Sequence, residues 1–244
     1  MAATSSVARS SGGKQGLEEL TESYARWRSR RLGQITDSLE RQLLFELLGP
    51  IDRKALLDVG CGDGEFALEL AQRGAVVTGL DIDPKMIAAA RQRAEAQSTR
   101  VQLVEGQMEM LPFENASFDV VLAVAVLCFV QDSGRSITEM ARVLKPGGRL
   151  VIGELGRWSL WAAYRRVRGW LDHPTWRTAT FRSAHELRKL ATGAGLNVEQ
   201  IRGAVHYPPA AIAAEFLAPI DLTLGRKSTF GAAFIAMSAG KPLA

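Results

Sequence analysis

The sequence predicts an α/β fold in which a largely parallel sheet is covered by helices on both faces. Apolar, β-branched runs of strand length alternate with helix-length segments between residues 55 and 153, a pattern typical of parallel sheets. The first of these strands runs into a turn with glycine at alternate positions, which is suited to a nucleotide-like ligand. With 244 residues, 47% of them hydrophobic, the chain is long enough to bury one sizeable core.

The N-terminal part divides into two segments. Residues 1–14 are rich in Ser, Ala and Gly without a hydrophobic period, so we expect a disordered segment followed by a single domain over 15–244. From Leu17 to Leu48 apolar residues recur at helical spacing. This spacing predicts two helices within residues 15–50, with a break near Gly33.

The sheet elements follow from the alternating pattern. Asp83 followed by Pro84 is typical of a helix start, since the aspartate caps the helix and proline is tolerated in its first turn. The predicted elements are a strand over 55–59, a helix over 64–73, a strand over 75–80, a helix over 84–96, strands over 101–105 and 118–124, a helix over 134–144 and a strand over 149–153.

After Glu154 the pattern changes. An aromatic and arginine-rich run predicts a helix over 158–171, within a helical insertion at 156–183. The remaining predictions are a helix over 184–194, a strand over 197–204, an irregular insertion containing Pro208 and Pro209, and a last strand over 229–237.

The glycine turn narrows the choice of ligand. Gly60, Gly62 and Gly64 lack the Cβ that would keep a ligand away from the backbone, and the next helix presents free N–H groups. A dinucleotide fingerprint needs glycine at its sixth position, where this chain has Glu65. An NAD-dependent oxidoreductase is therefore disfavoured.

The segment LDVGCGDG at 57–64 resembles motif I of the class I S-adenosylmethionine (SAM)-dependent methyltransferases. Further segments match the family in the right order: a second strand ending on Asp81, then GQMEMLPF at 106–113, SFDVV at 117–121 and ARVLKPGGRL at 141–150. The resemblance covers residues 20–155 closely and the C-terminal third in outline. It implies a Rossmann-like seven-stranded sheet of order 3-2-1-4-5-7-6, with strand 7 antiparallel.

The resemblance also implies SAM as the cofactor and S-adenosylhomocysteine as its product. Asp81 would bind both ribose hydroxyls, and Gln107 replaces the aspartate that the family more often uses for the adenine amino group, with Met108 as an apolar cover. Cys61 fits the crowded turn as a packing residue. The full set of implied cofactor-binding residues is Asp58, Gly60, Cys61, Gly62, Gly64, Asp81, Ile82, Met86, Gln107, Met108, Glu109, Ala123 and Val124.

The helix over 158–171 leaves three interpretations open. One face of this helix is a stripe of five apolar or aromatic residues: Trp158, Trp161, Tyr164, Val167 and Leu171. The stripe could pack on the sheet edge, it could close over an acceptor pocket, or it could lie on a membrane surface to collect a lipid-like acceptor. Two aromatic residues of the N-terminal helix either cover the cofactor or pack. The residues assigned to the substrate side are Tyr24, Trp27, Trp158, Trp161, Tyr164 and Arg165.

Acid–base residues are scarce. In similar methyltransferases the segment after strand 6 lines the acceptor pocket, so His206 and Tyr207 are the candidate catalytic residues, against a simple loop pair. Cys128 and Phe129 occupy positions where many relatives have histidine. The other histidines are His173, after the aromatic helix, and His185, at a helix start. No pair of histidines or cysteines falls at metal-ligand spacing, so no metal is predicted.

Composition restricts the partners. The net charge of +4, the two cysteines and the absence of a secretory leader or membrane-spanning run predict a cytoplasmic protein without stable membrane insertion. No appended basic module points to nucleic acid. The sequence predicts a SAM-dependent methyltransferase acting on a small hydrophobic or aromatic acceptor. The alternatives are a non-catalytic SAM-binding protein, or a methyltransferase acting on a lipid or quinone at the membrane surface; the acceptor atom and oligomeric state stay open.

Overall fold

The computed structural model describes residues 27–171 and 174–243, which contain a seven-stranded sheet of order β3-β2-β1-β4-β5-β7-β6. β7 runs antiparallel to both its neighbours and the other pairs are parallel, so the predicted sheet order and direction are confirmed. The strands are β1 Ala55–Val59, β2 Val76–Asp81, β3 Gln102–Glu105, β4 Phe118–Val124, β5 Leu144–Leu155, β6 Asn197–Ala204 and β7 Phe234–Gly240.

Helices cover both faces of this sheet. Successive residues of a strand point to opposite faces, so consecutive apolar residues give each face an apolar surface that helices bury. Leu56 packs in a core cluster with α1 and α2, whereas Leu57 packs in a second cluster with α4 and α7. None of the described helices is both long and apolar enough to cross a membrane. The helices are α1 Arg31–Leu48, α2 Glu65–Gln72, α3 Pro84–Ala96, α4 Ser133–Val143, α5 Leu160–Trp170, α6 Pro174–Thr178, α7 Ala184–Gly193 and α8 Ala211–Lys227.

The predicted helix break near Gly33 is present but lies a few residues earlier. Gly33 lies inside α1, and the helical path is interrupted before it, at Ser29 and Arg30. A Cβ on Gly33 would lie 2.1 Å from the carbonyl oxygen of Trp27. The turn at Trp27 therefore packs directly against the backbone of Gly33, and any side chain at position 33 would prevent this contact.

The irregular insertion predicted around Pro208 and Pro209 is wrong in part. Most of it is α8, a helix of 17 residues that contains Pro219, and β7 begins at Phe234 rather than at residue 229. Sequence signals for α8 are weak because Ala210 provides no side-chain cap and proline normally disfavours a helix interior.

Candidate functional site

The turn after β1 contains three glycines. An added side chain would collide with the protein at two of them and would point into open space at the third. All three have positive φ angles, 75° at Gly60, 55° at Gly62 and 75° at Gly64. An added Cβ at Gly60 would lie 2.4 Å from a methyl of Val126, and one at Gly64 would lie 2.7 Å from Cβ of Ala90. An added Cβ at Gly62 has no atom within 4 Å. Gly62 is therefore the position at which a ligand can approach the backbone.

Asp81, at the end of β2, is oriented by the same turn. One carboxylate oxygen accepts the Gly62 N–H at 2.9 Å and the other accepts the Asp83 N–H at 2.9 Å. Burial raises the pKa of Asp81, and these N–H groups work in the opposite direction. Each oxygen has capacity for a further hydrogen bond, so the carboxylate is positioned to accept two ligand hydroxyls.

The other cofactor candidates lie at the carboxyl edge of neighbouring strands. Val59 pairs with Ala123, and Asp81 pairs with Glu105, which directly precedes the Gln107 segment. Ile82 is an exposed apolar side chain beside Asp81, as expected for a residue that a bound ligand covers. The structure brings to this edge Asp58, Cys61, Met86, Gln107, Met108, Glu109 and Val124.

Three of these residues are buried: Asp58, Cys61 and Met108. The Cys61 thiol packs on β2, since an added Cβ at Gly79 would lie 2.9 Å from its sulfur, and burial raises its pKa. This placement agrees with a packing role. Burial, together with the charge of Asp81, raises the pKa of Asp58 to about 7. Met108 is buried among core side chains, whereas Gln107 is exposed.

Glu65, the residue that breaks the dinucleotide pattern, ties α1 to the glycine turn. Its carboxylate forms ion pairs with Arg41, at 2.8 Å, and with Arg28. Arg41 also pairs with Asp37 at 2.6 Å and with Glu69. These ion pairs therefore hold α1 beside α2, the helix that follows the glycine turn.

Four of the residues predicted for the acceptor come together as an aromatic cluster, formed by Trp27, Trp161, Arg165 and Tyr207. The Trp27 and Trp161 rings meet edge to face with centroids 6.2 Å apart, and the Trp161 indole N–H donates to the Tyr207 carbonyl oxygen at 2.9 Å. The Arg165 guanidinium lies 5.2 Å from the centroid of the Trp161 ring. Aromatic stacking and cation–π contact hold the cluster together.

The predicted single aromatic stripe is wrong. Trp161 is buried, but Trp158 and Tyr164 are 60% and 48% exposed. Positions three apart drift by about 60° around a helix, so the stripe spreads over half of its circumference. Trp158 also precedes the first residue of α5. The two exposed rings therefore do not join the aromatic cluster.

Tyr207 and His206 are held by structural contacts. The Tyr207 hydroxyl lies 3.0 Å from the Thr36 hydroxyl, and burial raises its pKa to about 12. His206 Nδ1 lies 3.5 Å from the Asp221 carboxylate. Burial lowers the pKa of His206, but the hydrogen bond and charge of Asp221 outweigh burial, so the pKa is raised. These placements argue against either residue as a general base, since both are engaged inside the fold.

Asp221 fixes the turn that carries this pair. It is fully buried in α8 and accepts the N–H groups of Val205 and His206, each at 2.7 Å. Val205 has a φ angle of 65°, which is strained for a β-branched residue. The sequence alone did not identify Asp221, because no local motif links it to the end of β6.

Two acids were also missed, the half-buried Glu40 on α1 and the fully buried Glu154 on β5. Burial raises the pKa of Glu40 to about 8, and its charge acts on both Arg165 and Tyr207. Glu154, at the carboxyl end of β5, accepts the Leu127 N–H at 2.8 Å, and burial raises its pKa to about 7. An acid within the apolar spacing of α1 was the signal for Glu40.

Three other predictions concern residues away from these contacts. Tyr24 and His173 lie outside the described residues. His185 is exposed at the start of α7, between Ser183 and Glu186, which form a reciprocal cap. Cys128 is buried in the turn after β4.

Comparison with known proteins decides the family. A methyltransferase domain model matches residues 57–152. A demethylmenaquinone methyltransferase of Tropheryma whipplei is 40% identical over 124 residues, which cover 50% of this chain and 51% of that protein. A ubiquinone biosynthesis O-methyltransferase of Coxiella burnetii is 33% identical over 163 residues, covering 64% of this chain and 68% of that protein. The chain belongs to the class I SAM-dependent methyltransferases.

The likeness to solved members of this methyltransferase family extends over the whole fold. The Thermotoga maritima structure described as a SAM-dependent methyltransferase, possible histamine N-methyltransferase, has a TM-score of 0.71 at 24% identity, covering 93% of this chain and 98% of that one. Sequence coverage is shorter, since the chain spans about half the length of the Tropheryma relative.

Proposed function

We propose that the chain transfers a methyl group from SAM to a small lipophilic acceptor of the quinone class. The observation that carries the proposal is the pairing of the open Gly62 position with the oriented Asp81 carboxylate. The acceptor class rests on the two curated relatives, a demethylmenaquinone methyltransferase and a ubiquinone biosynthesis O-methyltransferase, and on the aromatic cluster.

The residues at the carboxyl edge of the sheet fit SAM. The Asp81 carboxylate would accept both ribose hydroxyls, and the backbone at Gly62 leaves room for close contact. Ile82 and Met86 would cover the adenine, with the Gln107 amide oxygen accepting from its amino group. When bound, SAM would supply a methyl group on a positively charged sulfur, and the acceptor atom would bond to the methyl carbon in line as the sulfur leaves in S-adenosylhomocysteine.

The aromatic cluster would align the acceptor and exclude water. Trp27 and Trp161 offer apolar ring surface, and Arg165 offers a cation for an oxygen on the acceptor ring. Alignment alone supplies much of the acceleration in a displacement reaction, since the two reactants no longer have to find each other in solution.

Glu40 is the proposed general base for an acceptor hydroxyl. It is half-buried on α1, next to the buried Leu39, and its charge acts on Arg165 and Tyr207. Because burial raises the pKa of Glu40 to about 8, the carboxylate holds a proton more tightly than an ordinary glutamate does. It would take the hydroxyl proton as the acceptor oxygen bonds to the methyl carbon.

The test is methyl transfer from labelled SAM to a water-soluble, short-chain hydroquinone. Trp161→Leu should lower kcat/KM at least about tenfold, while the Kd for SAM stays within about threefold, because the indole lies in the aromatic cluster and not at the Gly62 edge. The matched control is Tyr164→Leu on the outer side of the same helix, which should keep full turnover.

Different failures have different meanings. SAM binding without transfer to hydroquinone, catechol or amine acceptors would leave a non-catalytic SAM-binding protein as the better description. Equal losses in the two variants would show that the aromatic cluster does not form the acceptor site.

A further inference from the structure

The outward face of α5 carries a continuous row of apolar side chains. Leu160, Tyr164, Val167 and Leu171 follow one another at helical spacing and are all exposed. Trp170, beside them, is 83% exposed. Contiguous apolar surface of this kind is rare on soluble monomers unless something docks on it.

α8 has a second row of the same kind. Ile212, Phe216, Ile220 and Leu224 recur at every fourth residue and are exposed, with Phe216 at 79%. Phe230, in the loop that follows, is 77% exposed. The inner side of α8 is occupied by Asp221 and its contacts with the end of β6, so this outer row plays no part in the core.

The two rows are joined where the loops at their ends touch. The Gly231 N–H donates to the Trp158 carbonyl oxygen at 3.0 Å. This backbone bond brings the loop after α8, which carries the exposed Phe230, to the segment before α5, which carries the exposed Trp158. We use the name apolar patch for the outward residues of α5 and α8 together with Trp158 and Phe230.

The charges around the patch are predominantly positive. α5 contains three arginines and no acidic residue, and Arg168 among them is exposed. α8 ends on Arg226, which pairs with Glu46 at 3.1 Å, and on the exposed Lys227, while its one exposed acid, Glu215, is paired with Arg31 at 2.9 Å. Aromatic rings interleaved with cations are typical of helices that lie in the interfacial layer of a bilayer.

We propose that the apolar patch docks on the surface of an anionic lipid bilayer. Charge complementarity selects this occupant, because a second copy of the chain packed symmetrically on the same patch would bring like charges together. The inner side of α5 carries Trp161 and Arg165, so docking would present the aromatic cluster to lipophilic molecules in the bilayer. That benefit rests on the proposed function, whereas the docking itself does not.

The experiment is vesicle sedimentation with the full chain, without SAM or acceptor. The protein should bind vesicles of phosphatidylglycerol and phosphatidylcholine in equal parts, bind phosphatidylcholine vesicles more weakly, and lose affinity at high salt. The double variant Phe216→Ser with Ile220→Ser should bind at least about tenfold more weakly, since two large apolar side chains no longer enter the interface. Arg168→Glu with Lys227→Glu should do the same.

Matched controls are Leu243→Ser, which removes an exposed apolar side chain outside the patch, and Arg53→Glu, which reverses an exposed charge outside it. Both should bind like the wild type, and circular dichroism should show all variants folded. Wild-type binding in the patch variants, or equal losses in the controls, would overturn the proposal. So would a dimer in sedimentation velocity that the Phe216 and Ile220 variant dissociates, without vesicle binding. Vesicle binding with no methyl transfer would support docking and count against the proposed function.

Discussion

The proposed cofactor edge and the proposed acceptor side of this chain are built in different ways. At the proposed cofactor edge, the Asp81 carboxylate accepts the Gly62 N–H, and the Gly60 and Cys61 N–H groups donate to the Leu80 carbonyl oxygen, so the site is held by contacts with the backbone of one turn and one neighbouring strand. On the acceptor side, Trp161, Tyr207 and Thr36 come from three distant parts of the chain and meet through side chains. Substitutions in a site that local backbone geometry holds in place should mainly weaken ligand affinity. Substitutions in a site assembled from distant parts of the chain should mainly lower the free energy of unfolding.

The largest effect on the acceptor side is expected at Asp221. Asp221→Ala leaves two buried N–H groups without an acceptor and removes the contact that holds Val205 at a positive φ angle. We expect a loss of about 2–5 kcal/mol in the free energy of unfolding, measured by urea denaturation. The control is Asp132→Ala, a single helix cap on α4, which should cost about 1 kcal/mol. Equal costs would show that the turn after β6 is not fixed by Asp221.

At the cofactor edge the expected response is in binding. Asp81→Ala should weaken SAM binding by about 2–4 kcal/mol in calorimetry, because two ribose hydroxyls lose a charged acceptor. It should cost at most about 1–2 kcal/mol of stability, since Asp81 also accepts the Gly62 and Asp83 N–H groups. Asp221→Ala, in the folded fraction, should keep the wild-type Kd. An unchanged Kd in the Asp81 variant would contradict the division between the two regions.

The smallest effect is a pH dependence on the acceptor side. The pKa of His206 is raised in the folded state by the Asp221 carboxylate, although burial opposes it. Its stabilising contribution is therefore fully present below the unfolded pKa of about 6.5 and is lost as the pH rises through the folded value. The stability gap between wild type and His206→Gln should narrow from pH 6 to pH 8.5. His185→Gln, on the exposed start of α7, controls for replacing a histidine as such; a gap that widens with pH would exclude the ion pair with Asp221.

The same contrast explains how much the sequence could predict. The glycine turn and the placement of Asp81 at the end of β2 depend on local patterns, so they could be predicted, whereas the sheet order was implied by the resemblance to the methyltransferase family. Gly33 was misinterpreted because its reason is a contact with Trp27, which only the tertiary structure reveals. α8 was missed because its apolar row faces outward and because the helix contains Pro219.

Side-chain orientation on the acceptor side was also beyond the sequence. Spacing alone could not show that Trp161 points inward while Tyr164 points outward, since it assigned both residues to one stripe. Nor could it show that the Tyr207 hydroxyl is bonded to Thr36, which lies in a helix at the other end of the chain.

The most direct test of the cofactor edge compares two glycines that share the same backbone constraint. Gly62 and Gly195 have φ angles of 55° and 79°, and an added Cβ meets no atom within 4 Å at either position. Gly62→Ala and Gly195→Ala should therefore lose similar stability, about 1 kcal/mol each. In titration calorimetry with S-adenosylhomocysteine, wild type and Gly195→Ala should bind one equivalent with the same Kd, and Gly62→Ala should bind at least about tenfold more weakly. Equal affinity in both variants, or a folded wild type that does not bind, would contradict the assignment of this edge as the SAM site.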